Sequence, residues 1–63
     1  MNNVKKYRKK RNVSIENISL YTGVSKRHLQ FIERGQRNPS LSLAKKMADC
    51  LNCTIEELFF DEV

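Results

Sequence analysis

One proline and two glycines in 63 residues leave few points at which the chain can break or reverse. Strict apolar–polar alternation is missing too, so nothing reads as a half-buried strand. No apolar run approaches the length that crosses a bilayer, and the opening MNNVKKYRKKRNV holds no stretch of signal-peptide length. A cytoplasmic protein with no membrane contact is expected. The two cysteines, Cys50 and Cys53, form one C-x-x-C pair, and His28 is the only histidine. That is too few ligands for a structural zinc, and a redox motif would want a βαβ setting. Free thiols filling small core positions are expected instead, with no metal and no cofactor. The length suggests one domain over 1–63, with too little chain for a large substrate cleft and its supporting shells. The expectation is a binding module and not an enzyme, without a second domain to sense a small-molecule ligand.

What the sequence has in quantity is positive charge, unevenly placed. Residues 1–38 carry ten basic and two acidic side chains, whereas residues 39–63 carry two basic and five acidic ones. A basic half points to a polyanion, either nucleic acid or an anionic membrane.

Apolar residues recur at threes and fours, which makes the chain all-α with five short helices. Helix 1 covers about Asn3–Arg11, with Val4 and Tyr7 inward and Lys5, Lys6, Lys9, Lys10 and Arg11 fanning outward. Asn12 ends it, since Asn tolerates the left-handed conformation of a cap. Ser14 caps helix 2, about Ile15–Thr22, in which Ile15, Ile18 and Thr22 share a face. Gly23 supplies a tight turn of positive φ. Ser25 caps helix 3, about Lys26–Arg34, which Gly35 stops. Pro39 turns Asn38 away from helical geometry, and Ser40 caps helix 4, about Leu41–Leu51. Leu41, Ala44, Met47, Ala48 and Leu51 form its inward stripe. Asn52 ends that helix, and the capping-box string TIEE opens helix 5, about Ile55–Phe60. Helices 2 and 3, joined at Gly23, have the spacing of a helix-turn-helix.

Helix 3 carries the chemistry. With Leu29 at 0° and about 100° per residue, Ile32 lies near −60° and the buried direction falls between them. Gln30, Arg34, Arg27 and Phe31 then occupy roughly 100° to 200°, one contiguous outward stripe with Lys26 at its edge. Each has a use in a major groove: Arg on guanine O6 and N7, Gln on adenine N6 and N7, Phe on a thymine methyl. Ser25 and the free N–H groups at the helix start suit a phosphate. An outward aromatic on so small a polar face needs a partner, and a contact with another protein would also explain Phe31. Glu33, near 40° on the flank of the buried side, is costly unless paired, and Arg8 is placed to pair with it and tie helix 1 to helix 3.

The strings YRKKRNVSIENIS, TGVSKRHLQFIERGQRNPSL and KKMADCLNCTIEELF resemble the lambda-repressor-like, Xre/Cro-type helix-turn-helix family over about Val4–Phe59. The run from Ile32 to Ser40, I-E-x-G-x-R-N-P-S, is distinctive in order and spacing, as is the T-I-E-E-L-F ending. The resemblance implies a five-helix domain whose third helix enters the major groove. It places base reading at Lys26, Arg27, His28, Gln30 and Phe31. It places backbone contact at Arg34 and at the loop residues Gln36, Arg37 and Asn38, and it makes Arg8 and Glu33 a structural ion pair. Cys50 and Cys53 fall at core positions that are usually Ala and Val. There are departures from the pattern. Ile15 replaces a phosphate-contacting Gln, Asn12 a Gly and Ser19 an Ala, while Thr22 replaces a Leu and so thins the core. Leu20 and Tyr21 stand where polar residues are usual.

The function these features suggest is sequence-specific binding of double-stranded DNA by a bacterial, phage or mobile-element transcriptional regulator. A repressor that simply occupies a promoter is the economical form. Useful specificity needs two copies on half-sites about one helical turn apart, ~34 Å. Phe60 and Val63 offer an apolar dimer surface. Few of the helix 1 lysines are expected on phosphate. The rival from a different class is a protein-binding adaptor, or an antitoxin-like co-regulator, working through Leu20, Tyr21 and Phe31. Charge-driven, non-specific nucleic-acid binding is a third.

Overall fold

The computed structural model describes residues 2–60; Val63 lies outside them. Five helices follow in order: α1 (Val4–Arg11), α2 (Ile15–Thr22), α3 (Lys26–Glu33), α4 (Leu41–Leu51) and α5 (Ile55–Phe59). Among the described residues there is no strand.

The boundaries follow from local chemistry. Ser14, Ser25, Ser40 and Thr54 each sit in extended backbone, and each side chain accepts an N–H from the first turn of its helix. At the other ends, α1 and α4 stop at Asn12 and Asn52, with φ of 58° and 53°. Gly23 closes α2 at φ 77°, and Gly35 adopts the same φ just beyond α3. These left-handed positions admit glycine or asparagine with little strain.

Val4, Ile18, Leu29, Ile32, Met47, Leu51 and Leu58 are fully buried, so every helix contributes to one core. Tyr7, Leu43 and Ala48 complete it, and Cys50, Cys53, Ile55 and Phe59 pack against its margin. Both thiols are free and only partly buried. Burial pushes each up from its ordinary value, and the Glu57 carboxylate adds to the effect at Cys53. Neutral thiols at the edge of a core suit packing better than nucleophilic chemistry.

One core assignment is corrected. Leu41 does not face inward; it is 72 % exposed, and Leu43 takes the buried place. With Met47 at 0°, the buried residues Leu43, Ala44, Ala48 and Leu51 centre near 30°, whereas Leu41 falls near 120°. Leu41 also opens the helix, so its side chain leans back beyond the core.

The chain ends of the helices are tied across the fold. The Asn3 N–H donates to Leu58 O at 2.8 Å, and its side-chain amide to Glu57 O at 2.8 Å. Arg11 donates from Nε to Leu51 O at 3.0 Å and from Nη2 to Asn52 O at 3.2 Å. It thereby satisfies carbonyls that the end of α4 leaves open. α5 has only five residues and depends on its cap. The Glu57 N–H donates to Thr54 Oγ1 at 3.0 Å, and the Thr54 N–H to Glu57 Oε1 at 2.9 Å. The Thr54 N–H is the main reason the Glu57 carboxyl is held below its ordinary 4.5. Such a group stabilises the fold above its unfolded value, and that contribution is lost as pH falls through the folded value. Thr54→Ala is expected to cost about 1 kcal/mol in urea unfolding at neutral pH. Glu57→Gln should flatten the acid limb of the stability–pH curve below 4.5.

Candidate nucleic-acid interface

The turn between α2 and α3 is built by small polar side chains. Ser19 Oγ donates to Val24 O at 2.6 Å, Thr22 Oγ1 donates to Ile18 O at 2.8 Å, and the Val24 N–H donates to Thr22 Oγ1 at 3.2 Å. Thr22 therefore does more than leave the core thinner. It fixes the exit of α2, and so the direction of α3. Ser19 is short enough for the helices to approach and also bonds the turn.

Leu29 and Ile32 bury one face of α3, and the opposite face is open. Lys26, Arg27 and Gln30 are exposed, while His28 and Phe31 are partly buried. The His28 N–H is bonded to Ser25 Oγ at 3.2 Å, which occupies one lone pair of an exposed hydroxyl that can also donate. Arg34 is the exposed C-cap, its N–H bonded to Gln30 O at 3.0 Å.

After Gly35 the chain turns back. The Gln36 N–H donates to Phe31 O at 2.9 Å, and the exposed Arg37 comes over the Phe31 ring, its guanidinium carbon 6.0 Å from the centroid. Arg27 lies over the same ring at 5.9 Å. The outward aromatic thus has two cationic partners within its own chain. The exposed Asn38, with Pro39, Leu41, Phe59 and Phe60, borders an open cleft of about 460 Å³ beyond the end of α3. Phe60 is 72 % exposed there.

Behind the helix, Arg8 Nε lies 2.8 Å from Glu33 Oε2, with side chains only 18 % and 13 % exposed. A second bond runs from Nη2 to Glu33 Oε1 at 3.4 Å, and Nη1 donates to Val13 O at 3.3 Å. The forked guanidinium joins α1, the α1–α2 connection and α3. Among the described residues no group of His, Cys, Asp or Glu side chains is arranged to hold a metal ion, and no helix is long and apolar enough to cross a membrane.

Sequence reading missed Arg11. It sits in a run of basic residues, and nothing local separates it from the lysines that meet solvent. The available sign was Asn52, whose left-handed cap leaves neighbouring carbonyls in need of donors. Leu20 and Tyr21 are 81 % and 58 % exposed, so the apolar pair on α2 stays outside the core.

Comparison with known proteins agrees with this geometry. The family described as helix-turn-helix matches residues 4–58. An HTH-type transcriptional regulator of Archaeoglobus fulgidus is 42 % identical over 60 residues, covering 94 % of this chain and 84 % of that one. The HTH-type transcriptional regulator SlrR of Bacillus subtilis is 40 % identical over 57 residues, which are 89 % of this chain but only 38 % of the longer relative. Among solved structures, the restriction-modification controller protein C.AhdI of Aeromonas hydrophila superposes with a TM-score of 0.78. It is 32 % identical, and the match covers 89 % of this chain and 85 % of that one. A match of this extent, on a helix pair with an open polar face, makes the chain a member of the Xre/lambda-repressor-like helix-turn-helix family, a transcriptional regulator with a helix-turn-helix DNA-binding domain.

Proposed function

We propose that this protein is a sequence-specific repressor that binds a palindromic operator in double-stranded DNA as a homodimer, one α3 in each of two successive major grooves. The observation that carries this reading is the open face of α3, where Arg27 and Gln30 stand exposed beside the partly exposed Phe31. These are side chains that can discriminate base pairs rather than merely neutralise phosphate. Lys26, Arg27, His28, Gln30 and Phe31 read bases. Ser25, Arg34, Gln36, Arg37 and Asn38 contact the backbone and fix register. In this reading the protein works in the cytoplasm through its helix-turn-helix domain, by occupying DNA and not by a catalytic step. Phe60 supplies the described part of the dimer surface, and its exposure next to the cleft supports that role.

The test is selection of bound duplexes from a random pool near physiological salt. An enriched palindrome with half-sites ~34 Å apart supports the reading, and salt-sensitive background alone sinks it. Phe60→Asp should weaken binding to the two-half-site duplex roughly tenfold while leaving single half-site affinity unchanged, because only the paired form loses the burial of Phe60. Titration of both duplexes checks this.

The exposed Leu20–Tyr21 pair favours a second activity, a protein partner held on the outer face of α2. An apolar contact of that kind is far less sensitive to salt than DNA binding, which separates the two in a pull-down at rising ionic strength.

A further inference from the structure

Phe31 belongs neither to the core, nor to its packed margin, nor to the exposed cleft. Its ring carries two guanidiniums instead, Arg27 at 5.9 Å and Arg37 at 6.0 Å. Arg27 and Phe31 are four residues apart, so they stand one above the other on the same face of α3. The bond from the Gln36 N–H to Phe31 O, and the reversal at Gly35 with φ 77°, bring the loop back so that Arg37 meets the ring. Two cations over one ring make a poor seat for an apolar protein surface. They make a good one for a polyanion with an apolar group recessed between its charges.

We infer that Arg27 and Phe31 form a single reading unit for a guanine next to a 5-methylpyrimidine. This rests on the DNA-reading role proposed above for α3. A guanidinium held over an aromatic ring, as Arg27 is at 5.9 Å from the Phe31 centroid, has less freedom to lose on binding and keeps its donor edge free for guanine O6 and N7. The neighbouring base pair is ~3.4 Å away along the groove, within reach of a ring centred one helical turn from Arg27. The apolar group available on the major-groove edge of a base pair is the thymine 5-methyl. Cytosine methylated at C5 presents the same group at the same place. Arg37 is a positioning residue: it braces the ring from the loop side and sets the orientation in which the ring meets the methyl.

The experiment starts from the selected duplex. Each thymine is replaced in turn by deoxyuridine, which deletes only the methyl, and each cytosine by 5-methylcytosine. At one position per half-site, deoxyuridine should weaken binding about threefold to fivefold, the loss expected for one methyl returned to water. A sensitive thymine identifies thymine as the natural partner, while a gain of similar size only on cytosine methylation identifies 5-methylcytosine. Either supports the inference, provided that Phe31→Ala abolishes the methyl dependence and Phe31→Leu, which keeps an apolar contact, retains part of it. Phe31 lies outside the core cluster, so both variants are expected to fold, which their thermal melts will show. An enriched duplex with no methyl-sensitive position, or the same sensitivity in Phe31→Ala, overturns this inference alone. No enriched duplex at all overturns the DNA-reading proposal together with it.

Discussion

Replacing Glu33 with alanine is expected to destabilise the domain by about 2–3 kcal/mol, between the values for exposed and fully buried pairs. The carboxylate takes two bonds from Arg8, at 2.8 Å and 3.4 Å, with both side chains largely out of water. Without it the guanidinium retains Val13 O and little else, and a charge held away from solvent without its counter-charge is the costly case. A domain of this length has only a few kcal/mol in hand, so a large part of the stability goes with one carboxylate. Urea unfolding of Glu33→Ala, Arg8→Ala and the double variant measures the coupling. If the pair behaves as its burial suggests, the double variant will lose less than the two single losses added together. Strict additivity would mean that each side chain acts through other contacts. Replacing both by apolar residues of similar volume should restore much of the loss, because the pair is expensive to break but not expensive to omit.

The sequence disclosed most of the helices because their ends are written in single residues. Ser14, Ser25, Ser40 and Thr54 are caps whose chemistry needs no tertiary partner, and Asn12, Gly23, Gly35 and Asn52 are stops of the same local kind. The position of Glu33 beside the buried face was legible too, since angular position on a helix follows from spacing alone. Leu41 was not. It satisfies the three-and-four rule with Ala44 and Ala48, but periodicity does not reveal that the first turn of α4 is covered only on the side of Leu43 and Ala44. The carbonyl bonds of Arg11 and the contact of Arg37 with the Phe31 ring escaped for a related reason. Their partners, the carbonyls of Leu51 and Asn52 and the ring of Phe31, lie across the fold or across a reversal, where sequence distance says nothing about proximity.

The same distinction separates the basic residues. Arg8 and Arg11 spend their guanidiniums on carboxylate and carbonyl oxygens inside the fold. Lys5, Lys6 and Lys9 remain exposed, and Lys10 lies with its ammonium 5.6 Å from the Tyr7 ring. A basic half is therefore not a uniform polyanion surface. The arginines of α1 hold the scaffold, and the cations Lys26, Arg27, Arg34 and Arg37 of α3 and its loop stand exposed.

Arg27→Ala should cost ~1–3 kcal/mol of operator affinity, with the loss concentrated at one base pair of each half-site. Arg27 is exposed on α3, and among the described residues its contact is with the Phe31 ring and not a hydrogen bond that would explain its place structurally. A bidentate contact to guanine loses its meaning on any other base, so the variant should bind the wild-type operator and the operator changed at that pair almost equally well. Arg34→Ala, at an exposed position proposed on the phosphate backbone, provides the contrast: a smaller loss, similar on every sequence, with the salt slope lowered by about one. Competition titrations of both variants on both operators, at two salt concentrations, separate the cases. A uniform loss for Arg27→Ala would move Arg27 to the phosphate backbone and leave Gln30 as the principal reader on α3. Because Arg27 lies outside the core and outside the Arg8–Glu33 pair, its removal should leave the urea midpoint within experimental scatter of the wild type. That makes the affinity loss interpretable as lost recognition and not as lost fold.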